Sequence, residues 1–196
     1  MARISLITDR SELDAADHAI FDAIEGSRGL VRGPFAILLH RPAIASGAQQ
    51  IGGYLRYSSQ LPSELREGLI LVLARLTRCD FEWSAHWPLA VASGLDEQAL
   101  ADIKADRIDR LTGDLGLAAE LARSLIGGYA VDSELFDRAR QRWSDAELVE
   151  VVTLVGYYSC IAMVVNAFEV APNPDMAPGL SHNGNGQHPD ADGSHS

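Results

Sequence analysis

The chain has 196 residues, a length that suits one domain with appendages, and 47% of them are apolar, enough for a sizeable core. Its formal net charge of −11 makes nucleic acids and anionic membranes poor partners, because both bind through a basic face. The cysteines, Cys79 and Cys160, form no C-x-x-C motif, so neither a zinc knuckle nor a disulfide framework is expected.

Helical periodicity predicts an all-α fold for most of the chain. Apolar residues recur at helical spacing between capping residues, glycines and prolines, and no alternating run requires a strand. The N-terminal residues lack the apolar segment of a signal peptide, so the cytoplasm is the expected compartment. Outside residues 77–95, the predicted helices cover residues 11–25, 33–39, 43–59, 62–76, 96–105, 115–126, 132–142 and 144–168.

Capping motifs set the boundaries of the first and last helices. Ser11 and Asp14 form a predicted capping box, and Gly26 and Gly29 are expected to end the helix that follows. Ser144 begins a second capping box, and the helix after it is apolar on nearly all sides. Such a helix is either central or a membrane span, and its few polar residues favour burial in the core and in a subunit interface.

The C-terminal segment differs in composition from the rest of the chain. From Ala171 onward it is rich in Pro, Gly, Asn, Asp, Ser and His, with almost nothing to bury. Such a composition is typical of disordered segments. We therefore expect one helical domain over residues 1–170 and a disordered polar tail over residues 171–196.

The most informative stretch runs from Glu67 to His86 and contains four side chains capable of chemistry. Cys79, Glu82 and His86 are spaced i, i+3, i+7, which places them on one face of a helix. Glu67 lies twelve positions before Cys79, so on one straight helix it would point roughly 120° away from that face. A break between two packed helices would return Glu67 to the other three side chains.

Two residues are plausible N-caps for the helix after that break, Thr77 and Asp80. Cys79 and Glu82 would then lie near the positive end of the helix dipole, which favours thiolate and carboxylate forms. Glu82 and His86 would form an i, i+4 carboxylate–imidazole pair that orients the ring and selects its tautomer. In isolation such a pair is more often a surface pair, but Trp83 and the apolar run beside it favour a buried position.

The pattern E-x11-C-x2-E-x3-H resembles the signature of the carboxymuconolactone decarboxylase and alkyl hydroperoxidase D superfamily. The peroxidase branch carries a second cysteine, which forms a redox disulfide, where this chain has Glu82. The decarboxylase branch carries E-x3-H, which Glu82 to His86 matches. Similar segments at 33–42, 61–67 and 90–97, and the apolar helix after Trp143, extend the resemblance over most of residues 30–170. It implies an alkyl hydroperoxidase D-like helical domain that assembles as a trimer or hexamer.

The resemblance also implies a function and roles for named residues. We expect a cofactor-free decarboxylase or related lyase or isomerase that acts on a small organic acid or lactone, without a metal. His86 would be the acid/base, Glu82 its orienting partner and Glu67 a second proton-handling group. The candidate substrate-binding residues are Arg56, which would hold an anion, and Trp83.

Several alternatives remain open at this stage. Cys79 is a candidate thiol acid or nucleophile, and a thiol peroxidase using Cys79 would need Cys160 as its resolving thiol; Cys79 is equally well an inert buried residue. Arg66 is a second candidate for the substrate carboxylate, while Arg56 also fits a simple helix C-cap. A metal site from Glu82, His86 and His40 is arithmetically available. A non-catalytic oligomer that binds a small molecule is the last alternative.

Overall fold

The computed structural model describes residues 2–180, and in that range it contains α-helices and short 3-10 turns but no strand. This confirms the predicted all-α class. The helices are α1 (His18–Arg28), α2 (Pro34–Leu38), α3 (Pro42–Tyr57), α4 (Ser63–Leu76), α5 (Asp80–Ala92), α6 (Glu97–Lys104), α7 (Gly113–Gly128), α8 (Ser133–Arg142) and α9 (Asp145–Ala167).

The core is built around α4, which packs against α5, α6, α7 and α9. Its residues 67–74 are all buried, because neighbours surround this helix on nearly every side. Gly68 lets α7 approach closely, since a Cβ at this position would lie 3.0 Å from a methyl group of Leu115. The pair of α4 and α5 therefore carries the motif at the centre of the molecule.

The predicted break lies between Leu76 and Asp80, and Arg78 turns the chain there with a left-handed φ of 52°. The N-cap of α5 is Cys79 rather than Thr77 or Asp80. The Thr77 hydroxyl instead donates to the Leu73 carbonyl of the preceding helix. Asp80 is the first residue of α5, and its carboxylate accepts a hydrogen bond from the Leu180 amide.

The first predicted helix differs from the structure at both ends. Residues 10–12 and 15–17 form 3-10 turns, and the capping box uses Asp9 and Glu12 instead of Ser11 and Asp14. The α-helix continues past Gly26 as far as Arg28, and Gly29 ends it with a φ of 82°. The helix is therefore three residues longer than predicted at this end, and Arg28 is its last residue.

The last helix, α9, begins at the predicted Ser144 capping box and packs against α2, α3, α4, α5, α7 and α8. By length and composition alone it could cross a membrane, but half of its most apolar window is buried inside the protein. Its contacts with six other helices are those of a core helix.

After α9 the chain returns across the helices as a strap, which we define as residues 171–180. Leu180 at its end is buried in the core, and Asp175 forms an ion pair of 3.0 Å with Arg32. The tail predicted to be disordered therefore begins with ten residues that the structure describes, and the last of them, Leu180, is buried. The rest of that prediction, residues 181–196, lies outside the described residues.

Candidate active site

A cavity of about 310 Å³ lies between α1, α3, α5 and α9. The side chains of Glu82 and His86 line it from α5, and Tyr157 and Tyr158 line it from α9. Residues 175–177 of the strap form part of its rim. Two of the predicted catalytic residues thus face a common cavity.

His86 is held from behind by Glu67 of the neighbouring helix. Its Nδ1 atom lies 2.7 Å from the Glu67 carboxylate, and both residues are at most 5% exposed. An ionised carboxylate can only accept, so Nδ1 must carry the proton that makes this hydrogen bond. The other ring nitrogen, Nε2, is then free to exchange protons, and it lies 3.5 Å from a carboxylate oxygen of Glu82.

The environment of Glu67 favours its charged form. Burial raises the pKa of this carboxyl, but the hydrogen bond from His86, the charge of His86 and the nearby Arg66 together lower it below the usual value. Arg66 lies 3.3 Å from Glu67 through its Nε atom. Arg66 is therefore a partner of Glu67, and it is not among the residues that line the cavity.

Glu82 has the opposite electrostatics. Burial raises its pKa above the usual value, and His86, Arg56 and Arg28 only partly oppose that effect. The expectation that the helix dipole would favour the carboxylate is therefore wrong, because the loss of solvation outweighs it. Two carboxyl groups flank one imidazole, with pKa values moved in opposite directions. Such a separation is typical of acid–base sites.

Cys79 does not have the environment of a reactive thiol. It is fully buried, it does not line the cavity, and burial, followed by the charge of Glu82, raises its pKa to about 12. The expectation of a thiolate at the start of α5 is therefore wrong as well. Cys160 lies exposed on α9, and both cysteines are free thiols.

The remaining candidates are divided between the cavity and other parts of the fold. Arg56 lines the cavity. Trp83 is buried in the core against Trp87, with ring centroids 5.0 Å apart, and it is not a lining residue. His40 is exposed, and its ring bonds to the Ser5 carbonyl. Among the described residues no three potential ligands come together as a metal site.

Sequence reasoning missed three residues that line the cavity: Arg28, Tyr157 and Tyr158. The Tyr158 ring meets the His86 ring edge to face, with centroids 5.2 Å apart. Both tyrosines belong to the apolar helix after Ser144, whose pattern indicates burial and not a site. Arg28 lies beyond the expected end of α1, so no pattern connects it to the motif, which begins 39 residues later at Glu67 and ends 58 residues later at His86.

The chain was compared with known proteins. No family model matches it, and no curated protein is significantly similar in sequence. Among solved structures, a peroxidase-related protein from Silicibacter sp. superimposes with a TM-score of 0.69 at 15% identity, covering 88% of this chain and 94% of that one. An alkylhydroperoxidase AhpD core protein from Ralstonia eutropha gives 0.72 at 14% identity, covering 88% and 93%.

A third similar structure is the debrominase Bmp8, with a TM-score of 0.63 at 13% identity, covering 87% of this chain and 92% of that one. At such identities the similarity establishes the fold, while the reaction depends on the residues of the site. The fold expected from the E-x11-C-x2-E-x3-H pattern is therefore confirmed: this chain has the helical fold of the alkylhydroperoxidase D-like proteins.

Proposed function

We propose that the protein is a cofactor-free proton-transfer enzyme, a decarboxylase or related lyase or an isomerase, that acts on a small organic acid or lactone in the cytoplasm. The observation that carries this proposal is the buried Glu67–His86–Glu82 array. In this array the Glu67 carboxylate holds one imidazole nitrogen of His86, the other nitrogen lies 3.5 Å from Glu82, and both His86 and Glu82 line the cavity.

Each member of the array has a distinct task in this mechanism. Glu67 fixes the ring orientation and stabilises the imidazolium that forms when Nε2 accepts a proton. Glu82, with its raised pKa, is the group that stores a proton near the reacting carbon. Arg56 supports the carboxylate of the substrate.

Both reactions can be written with these groups. In decarboxylation, the bond to the carboxylate carbon breaks, its electron pair enters the unsaturated system, CO₂ leaves, and Glu82 or His86 returns one proton to carbon. In isomerisation, His86 Nε2 removes a proton next to a carbonyl group and Glu82 delivers one to another carbon. A buried site supports both reactions. Because water is excluded from it, fixed dipoles and the arginines stabilise the negative charge that develops on the enolate.

A thiol-dependent reaction is the second candidate, and the names of similar structures favour it. Two of them are called peroxidase-related, and Bmp8 was also solved as a cysteine-to-alanine variant in complex with 2,3,4-tribromopyrrole. The burial and raised pKa of Cys79 count against this candidate for the present chain. A non-catalytic binding oligomer is the remaining alternative.

Substitutions in the array distinguish these candidates. The assays are CO₂ release from unsaturated lactone acids and oxo acids, and exchange of carbon-bound protons in D₂O followed by NMR. We expect His86→Ala to lower turnover about 10²–10⁴-fold, the range typical of a lost general acid–base. Glu82→Gln should also lower it, whereas Cys79→Ser should retain most of the activity.

Peroxide-reducing activity with an added thiol serves as the contrasting assay. A protein that reduces hydroperoxides, loses this activity in Cys79→Ser and keeps it in His86→Ala would contradict the proton-transfer proposal. Circular dichroism of every variant should show unchanged helicity, so that a loss of activity is not confused with a loss of fold.

A further inference from the structure

Arg28 has the properties of a ligand-binding residue, although no sequence motif points to it. It is the last residue of α1 and lines the cavity beside Arg56. Its Nε atom is buried without a hydrogen-bond partner, and its guanidinium lies 4.0 Å above the centre of the Phe35 ring. A buried donor without an acceptor is costly unless a ligand supplies one.

Contacts between α1 and α3 fix the position of Arg28. The neighbouring residue Ser27 accepts hydrogen bonds from Gln49 to its hydroxyl, at 3.2 Å, and from the Tyr57 hydroxyl to its carbonyl, at 2.9 Å. These contacts hold the end of α1 against α3. Arg28 is therefore placed before any ligand arrives, which reduces the entropy lost on binding.

Gly52 of α3 provides the space in which Arg28 and the Tyr157 hydroxyl meet. A Cβ at this position would overlap the Tyr157 hydroxyl and lie 3.1 Å from a terminal nitrogen of Arg28. This glycine has an ordinary helical backbone, so what it provides is space and not an unusual φ. Two potential donors to an anion thus converge beside α3.

Two of the arginines that line the cavity have no ion-pair partner among the described residues. Within residues 2–180, neither Arg28 nor Arg56 forms an ion pair, whereas the third arginine of the lining, Arg32, is paired with Asp175. Burial raises the pKa of Glu82 more than the nearby charges, which include both unpaired arginines, lower it, and this opposes its ionisation. A confined cavity with two unpaired guanidinium groups attracts an anion of matching geometry.

We propose that Arg28 and Arg56 form a carboxylate subsite, and that the cavity binds the ionised form of a small carboxylic acid with a flat, unsaturated body. The flat body would lie among Phe35, Phe81 and Ile161, which also line the cavity. The inference deepens the proposed function and relies on it only for what happens to the acid after binding. Neutral lactones without a carboxylate are poor ligands of this subsite.

Binding of model compounds tests the subsite without knowledge of the natural substrate. The probes are benzoate and cinnamate, their neutral amides, and inorganic phosphate, each titrated into the full-length protein by calorimetry or ligand-observed NMR. We expect the two carboxylates to bind at least tenfold more tightly than the amides. We expect phosphate to compete with them only weakly, because it has no apolar body.

The variant Arg28→Gln should weaken carboxylate binding about tenfold or more and leave amide binding unchanged. The affinity of Arg28→Lys for the carboxylates should lie between those of Arg28→Gln and the wild type, since lysine retains the charge but cannot form the bidentate hydrogen bonds of a guanidinium group. The matched control is Arg41→Gln, which removes the same charge from an exposed arginine outside the cavity. It should bind the carboxylates like the wild type.

Three results would overturn the subsite: wild-type protein that does not prefer carboxylates to amides, equal binding of phosphate and benzoate, or unchanged benzoate binding in Arg28→Gln. If Arg28→Gln does not fold, the same measurement on Arg56→Gln decides the matter. A failure of the proposed function would look different. In that case His86→Asn would retain full turnover while carboxylate binding still depended on Arg28.

Discussion

At the scale of single residues, the site depends on two glutamates with opposite environments around one histidine. Glu67 faces His86 and Arg66, which offset the cost of its burial, whereas Glu82 faces the cavity with weaker compensation. Glu67 therefore serves as a fixed anion, whereas Glu82 serves as a proton donor and acceptor. The difference comes from which charged partners lie within hydrogen-bond distance and not from the motif itself.

The two glutamates should affect stability with opposite dependence on pH. The pKa of Glu82 is raised in the folded state, so its contribution to stability is largest below the usual value of 4.5 and is lost as the pH rises through the raised pKa. The free energy of unfolding of Glu82→Gln, compared with that of the wild type, should therefore increase from pH 5 to pH 8. Urea denaturation at both pH values measures the free energy of unfolding.

Glu67→Gln is the matched variant with the opposite sign. The pKa of Glu67 is lowered, so its stabilisation is present above 4.5 and is lost as the pH falls through the lowered pKa. We expect Glu67→Gln to cost about 1–3 kcal/mol at pH 7, the range for weakening a buried hydrogen bond to a charged group, and less near pH 4. Parallel pH profiles for the two variants would contradict the assignment of roles.

At the scale of elements, sequence periodicity was sufficient for the helices but not for their ends. The break between α4 and α5, the Ser144 capping box and the return of Glu67 toward His86 were all predicted from spacing. The end of α1 was not, because Gly26 does not stop a helix whose C-terminal turn is held by α3. The positions of Arg28 and Trp83 relative to the cavity depend on tertiary packing, which spacing within one helix does not report.

The sequence pattern also did not predict the ordered strap, and the contact made by its anchoring residue, Leu180, can be tested. Leu180 is 5% exposed in the core and its amide donates to Asp80 at 3.0 Å, although the segment around it has a polar composition. A buried leucine replaced by alanine usually costs about 2–5 kcal/mol. This segment follows the last helix and can detach locally, so the loss is limited to the free energy that holds the strap in place.

We therefore expect Leu180→Ala to accelerate proteolytic cleavage and amide exchange within residues 171–180 while the melting temperature changes by no more than about 2 °C, since the helices keep their packing. Mass spectrometry of limited digests and of deuterated protein measures both effects. Leu30→Ala, at an exposed leucine, is the control. A large fall in melting temperature would mean that the strap belongs to the cooperative core.

At the scale of the whole molecule, one face of the bundle exposes several large apolar side chains. Along α9, Val149, Val152 and Met163 are 66%, 42% and 60% exposed and share one face with Gly156. Ile51 of the adjacent α3 is also exposed. We propose that this face of α9 and α3 packs against a second copy of the chain, in agreement with the trimer or hexamer expected from the family resemblance.

A charge placed on that face should separate the subunits without unfolding them. Each of these residues is exposed in the single chain, so the double variant Val149→Glu/Met163→Glu should keep its helicity, while two buried carboxylates per subunit would oppose assembly. Light scattering after size exclusion should give a multiple of 21.1 kDa for the wild type and a mass near 21.1 kDa for the variant. Tyr129→Glu, at a residue that is 84% exposed beyond the end of α7, is the control and should assemble like the wild type. A wild-type protein that is monomeric at micromolar concentration would leave the apolar face without a second copy to cover it and would contradict the proposal.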